Sequence, residues 1–80
     1  MSASDNNVIA VRFGAFIKEA RLNKNLTQQD MADKLKVSQS YYNRIEVGGR
    51  NVDLFLALDI CSLLDLDLDE FKKSLNLERV

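Results

Sequence analysis

Gln39, Ser40, Asn43 and Arg44 fall within one nine-residue run, Ser38-Gln39-Ser40-Tyr41-Tyr42-Asn43-Arg44-Ile45-Glu46. If that run is helical, all four share one face, because residues three and four apart are neighbours on a helix. Their groups can read base edges in a major groove. The amides of Gln39 and Asn43 can be bidentate to adenine, the guanidinium of Arg44 to guanine, and the Ser40 hydroxyl can serve either. An ordinary solvated helix face has the same composition, so residue type leaves both readings open. Beyond Gly48-Gly49, Arg50 and Asn51 offer groups suited to phosphate oxygens. Tyr41 can pack at the helix edge or meet a phosphate or a thymine methyl.

Other chemistry finds little support. Catalysis requires a nucleophile with a base, a metal, or paired carboxylates across a pocket. The chain has no histidine and one cysteine, Cys61. That removes the common general base, a disulfide scaffold and a Cys/His metal site. Cys61 lies among Ala57, Leu58 and Leu64 at helical spacing and is expected as a core thiol. No glycine-rich phosphate loop occurs. Neither an enzyme nor a cofactor is expected.

The elements that position these residues can be read in order. Eighty residues, 46% hydrophobic and 29% charged, without proline and with three glycines, indicate one all-α domain. Residues 1–7 are polar and are expected as a disordered tail, residues 8–76 as the domain, and residues 77–80 as a loose C-terminus. Helix 1 is expected from Val8 to Asn23, with Phe13, Ile17 and Ala20 inward and Asn25 as a left-handed cap. Gly14 is costly inside a helix unless another backbone approaches it. Thr27 followed by Asp30 approximates a capping box for helix 2, Gln28 to Leu35. Ser38 caps helix 3, Gln39 to about Val47, with Tyr42 and Ile45 facing in.

Helix 4, from about Asp53 to Leu64, presents two apolar stripes. Leu54, Ala57, Leu58, Cys61 and Leu64 are expected to face the core. Val52, Leu56, Ile60 and Leu63 lie opposite, with Phe55 at the border. A chain this short has too little mass to cover both faces, so the second set is expected to form a homodimer interface, the alternative being cover by the C-terminal segment. Helix 5 is expected over Leu68 to Leu75, capped by Asp67.

The stretch from Phe13 to Phe71 resembles the helix-turn-helix of the Cro/repressor (Xre-like) family of DNA-binding proteins. Gly14, Ile17, Arg21, Leu26-Thr27-Gln28, Ala32, Val37-Ser38, Ile45-Glu46 and Gly48 carry the resemblance. It implies a compact five-helix repressor-like domain with helices 2 and 3 as the motif, and helix 3 as the recognition helix. It implies a salt bridge between Arg21 and Glu46, and phosphate contacts from Thr27 and Gln28 at the start of helix 2. Lys36 stands where the family usually has glycine at positive φ. That substitution leaves either a slightly strained or a slightly altered turn.

Net charge is −1, but residues 1–50 carry +3 and residues 51–80 carry −4. A basic half containing the motif suits phosphate contact, since screening makes that contact local. No apolar run approaches a membrane span and no basic-plus-apolar leader opens the chain, so a cytoplasmic location is expected. The reading reached is a sequence-specific transcriptional regulator, homodimeric, on double-stranded DNA with a pseudo-palindromic operator. The alternative is a protein-interaction module, such as an antitoxin, with DNA binding secondary.

Overall fold

Local signals set where each helix begins and ends. The computed structural model describes the main chain of residues 2–49 and 52–79, with the side chains of residues 8–49 and 52–75. The order is α1 Ser2–Asn23, α2 Gln28–Leu35, α3 Gln39–Glu46, α4 Leu54–Leu63 and α5 Leu68–Arg79, with no strand among the described residues. Thr27 opens α2 with a complete capping box. The Asp30 N–H donates to Thr27 Oγ1 and the Thr27 N–H donates to Asp30 Oδ2, each at 2.9 Å. Ser38 Oγ accepts from the Tyr41 N–H at 3.0 Å, and Asp53 Oδ1 accepts from the Leu56 N–H at 2.8 Å. Each satisfies one of the orphan donors of a first turn.

The exits share one device. Asn25, Lys36, Gly48 and Asp65 adopt positive φ after α1, α2, α3 and α4. In each case the next N–H reaches back five residues, as Leu26 to the Arg21 carbonyl (3.1 Å), Val37 to Ala32 (3.0 Å), Gly49 to Arg44 (2.9 Å) and Leu66 to Cys61 (2.8 Å). These are Schellman closures, and Leu26, Val37 and Leu66 pack their side chains onto the core behind them. Lys36 therefore keeps the left-handed turn, at φ 61°, and the strained alternative is the one realised. A non-glycine residue there costs about 1 kcal/mol.

Two helices run further than the sequence suggested. α1 begins at Ser2 rather than Val8, and α5 continues to Arg79 rather than stopping at Leu75. No proline or glycine lies between residues 2 and 13 or after Phe71, so nothing in the main chain interrupts propagation.

The core gathers Phe13 and Ile17 of α1, Met31 and Ala32 of α2, Tyr42 and Ile45 of α3, and residues of α4 and α5. Phe71 of α5 meets Phe13 edge-on and Phe16 at a tilt, both with centroids 5.3 Å apart. Gly14 lets α1 cross directly over the end of α3. A Cβ there would stand 2.6 Å from the Ile45 carbonyl oxygen, with the Glu46 carbonyl oxygen nearer still.

α4 is rotated somewhat from the expected face. Ala57, Cys61 and Leu64 are buried as expected and Ile60 joins them, whereas Leu54 and Leu58 are exposed. Ile60, assigned above to a dimer contact, is 0% exposed within one chain and cannot contact a partner. The spacing of 57, 60, 61 and 64 is as regular a stripe as the one chosen, and only packing distinguishes them. Burial pushes the Cys61 thiol pKa up, with the Asp67 charge adding to it, so its thiolate is disfavoured. No helix among the described residues is long and apolar enough to cross a membrane.

Candidate nucleic-acid interface

α3 buries Tyr42, Ile45 and Glu46, which leaves the opposite face to solvent. Gln39, Ser40, Asn43 and Arg44 are all exposed on it. Val47, just past the helix and 62% exposed, lies one turn beyond Asn43 on the same face. The sequence reading did not select it. Its position four residues after Asn43 was the available signal, and its methyl groups suit contact with a thymine methyl.

Behind this face lies a buried polar chain. Arg21 Nε donates to Glu46 Oε2 at 2.6 Å and Arg21 Nη2 to Glu46 Oε1 at 3.1 Å, a two-point pair across 25 residues. Both side chains are nearly closed to solvent, at 7% and 1%. Arg21 Nη1 also donates to the Leu26 carbonyl at 2.7 Å, tying the α1–α2 connection to α3. Burial alone would raise the Glu46 pKa. The Arg21 guanidinium, with the Tyr42 hydroxyl and the Gln28 amide beside it, outweighs burial and holds the carboxyl below its usual range. The Tyr42 hydroxyl is buried beside the pair and makes no hydrogen bond among the described residues. Burial, and then the neighbouring carboxylate, raise its pKa.

Gln28 extends the chain to the surface. Its Nε2 donates to Glu46 Oε1 at 3.0 Å and to Asn43 Oδ1 at 2.9 Å. The sequence signalled a polar residue at the start of α2 but not this bridge, because its partners lie 15 and 18 residues away. Gln28 Nε2 thus donates twice within the chain, to Asn43 at the surface and to Glu46 beneath it. Thr27 Oγ1 accepts within the capping box and retains its own hydrogen as a donor.

The remaining candidates divide. Tyr41 is half-buried against the core and lines a groove with Val37, Ser38, Asp53, Phe55, Leu56 and Asp59. Arg50 and Asn51 lie outside the described residues. Val52 and Leu56 are partly covered by their own core, whereas Phe55 (81%) and Leu63 (37%) are exposed. Leu54 and Leu58 join them on the outer surface of α4.

Comparison with known proteins agrees with this geometry. The helix-turn-helix family profile matches residues 17–71. An uncharacterised HTH-type transcriptional regulator of Bacillus subtilis, YqaE, is 38% identical over 68 residues, which span 85% of this chain and 59% of that protein. The control protein C.MunI of a Mycoplasma species is 37% identical over 65 residues, 80% of this chain and 88% of that protein. The crystal structure of the restriction-modification controller protein C.AhdI from Aeromonas hydrophila superposes with a TM-score of 0.70 at 34% identity. It covers 78% of this chain and 94% of that one. With a short helix pair closed by a left-handed turn and a profile match through most of its length, the chain belongs to the helix-turn-helix family of DNA-binding transcriptional regulators, in its Cro/repressor (Xre-like) branch.

Proposed function

We propose that this chain regulates transcription as a homodimer that lays α3 of each protomer into successive major grooves of a pseudo-palindromic operator. The observation that carries this reading is the α3 face. Four exposed side chains suited to base edges stand on a helix whose back is pinned by the Arg21–Glu46 pair. Rigid presentation matters because base readout depends on placement to a fraction of an ångström. Gln39, Ser40, Asn43 and Arg44 read bases. Thr27, the first-turn N–H groups of α2 at Gln28, Tyr41, Arg50 and Asn51 meet phosphates. The likeness to C.AhdI, a restriction-modification controller protein, supports a regulator over an antitoxin-like module.

The dimer contact moves with the corrected rotation of α4. Leu54, Phe55, Leu58 and Leu63 are all exposed along one helix, and such a row marks an association surface. Covering each such side chain fully is worth roughly 1.5–3 kcal/mol. A two-fold contact there would set two α3 helices about 34 Å apart, one turn of the duplex.

A mobility-shift assay with DNA from upstream of the protein's own gene tests the reading. A specific complex is expected at about 10 nM protein and should resist excess random duplex. If cognate and random DNA compete equally at every salt concentration, sequence-specific regulation is ruled out and the protein-interaction alternative stands.

A further inference from the structure

α1 has two faces. Phe13, Gly14, Ile17 and Arg21 are buried against the other helices. On the opposite side Val8 (51% exposed), Val11 (50%) and Leu22 (54%) are open to solvent, and Ala15 and Lys18 between them are exposed as well. Positions 8, 11, 15, 18 and 22 follow the alternating three- and four-residue step of a helix that packs along another helix. Charge is arranged around this stripe. Arg12 and Glu19, both exposed, stand on one side of Ala15, one before it and one after it, and Lys18 stands on the other side. The family profile begins at residue 17, so the N-terminal half of the stripe lies outside the matched motif.

We propose that this face of α1 is a second self-association surface, on which a copy of the chain docks its own α1, antiparallel, about a two-fold axis at Ala15. A two-fold contact is self-complementary, since residue i meets j wherever j meets i. Reversal of direction exchanges the ends of the stripe, while each side of it meets the same side of the copy. Val8 then packs against Leu22 of the copy. The two Ala15 methyls meet on the axis, where small residues let helices approach closely. Arg12 falls opposite Glu19 of the copy, and the symmetry repeats that pair. The Lys18 stem lies along Val11 of the copy with its ammonium in water. A parallel pair would instead set the two Lys18 side chains together and give Arg12 no acidic group. Exposed ion pairs are weak, so the apolar contacts hold the pair and the charges choose its direction. The surface is small, and its association is therefore weak beside that of an ordinary interface. It lies on a different helix from the exposed α4 row. Two different two-fold contacts on one chain build a closed tetramer or an open row. The inference does not depend on α3 meeting DNA.

Mild oxidation of the full chain carrying Ala15→Cys tests the arrangement, with Leu22→Cys and wild type, whose Cys61 is buried, as controls. Ala15→Cys should form a covalent dimer. Leu22→Cys should not, because an antiparallel pair places the two copies of residue 22 about 21 Å apart along the helix axes. Sedimentation equilibrium at high protein concentration reads the charges. Arg12→Glu or Glu19→Arg alone should weaken the α1 contact about tenfold, and the two together should restore it to within about twofold. Residues 12 and 19 are two turns apart within one helix, so rescue of this kind reports a contact between chains. A Phe55→Glu, Leu58→Glu chain that still crosslinks through Ala15→Cys supports the proposal whether or not α4 forms the dimer. Absence of a crosslink at Ala15→Cys, equal crosslinking at Leu22→Cys, or failure of the double charge exchange to restore association would each overturn it.

Discussion

Removing either partner of the Arg21–Glu46 pair should strip the domain of much of its stability. Arg21→Ala leaves a carboxylate with 1% of its side chain exposed, supported by the Gln28 amide 3.0 Å away and the Tyr42 hydroxyl beside it. Loss of one partner from a buried pair costs about 3–5 kcal/mol, because the other charge stays desolvated. The half-exposed Gln28 places this pair just beneath the surface, so about 3 kcal/mol is expected. Glu46→Ala should cost about 2–3 kcal/mol, since the stranded guanidinium keeps its bond to the Leu26 carbonyl. A domain of this size is stable by roughly 4–12 kcal/mol, so either variant lies near the edge of folding. Urea unfolding of both singles and the double should give a coupling of about 2 kcal/mol. Coupling within about 0.5 kcal/mol of zero would refute the argument. The pH dependence has a definite sign. The folded-state pKa of Glu46 is depressed, so its stabilisation is complete above the ordinary value of 4.5. It is lost as pH falls from there through the folded value. The stability gap between wild type and Glu46→Gln should therefore close in acid and stay open at neutral pH.

Four other outcomes are expected. Gly14→Ala should destabilise by about 1–3 kcal/mol in urea despite the better helix propensity of alanine, because its Cβ would press on the α3 carbonyls. Lys36→Gly should stabilise by up to about 1 kcal/mol by relieving the left-handed lysine, part of the gain being offset by a freer unfolded chain. Phe55→Glu with Leu58→Glu should yield a folded monomer by light scattering, with weak DNA binding; a double variant that remains dimeric would move the interface off α4. Arg44→Ala should cost about 1–3 kcal/mol on the cognate operator and relax one position per half-site, whereas equal loss on random DNA would make it a phosphate contact.

Helix starts were legible because they are local. Thr27 with Asp30, Ser38 and Asp53 cap their own first turns through contacts three residues away. The pairing of Arg21 with Glu46 came from family resemblance, since nothing in the pattern links residues 25 apart. The inward face of α4 was legible only in part, as Ala57, Cys61 and Leu64, for a physical reason. A helix apolar almost all round has no phase in its hydrophobic pattern, so only the packing of the other helices decided that Ile60 goes in and Leu58 stays out. The exposed polar face of α3 was also named from sequence, as groups opposite Tyr42 and Ile45. How the Asn43 amide is turned was not, for it accepts from Gln28, a glutamine on another helix that also bonds Glu46. Residue type supplies the hydrogen-bonding groups, but the direction of a symmetric-looking amide is set by its neighbours, and those neighbours meet only in the folded chain.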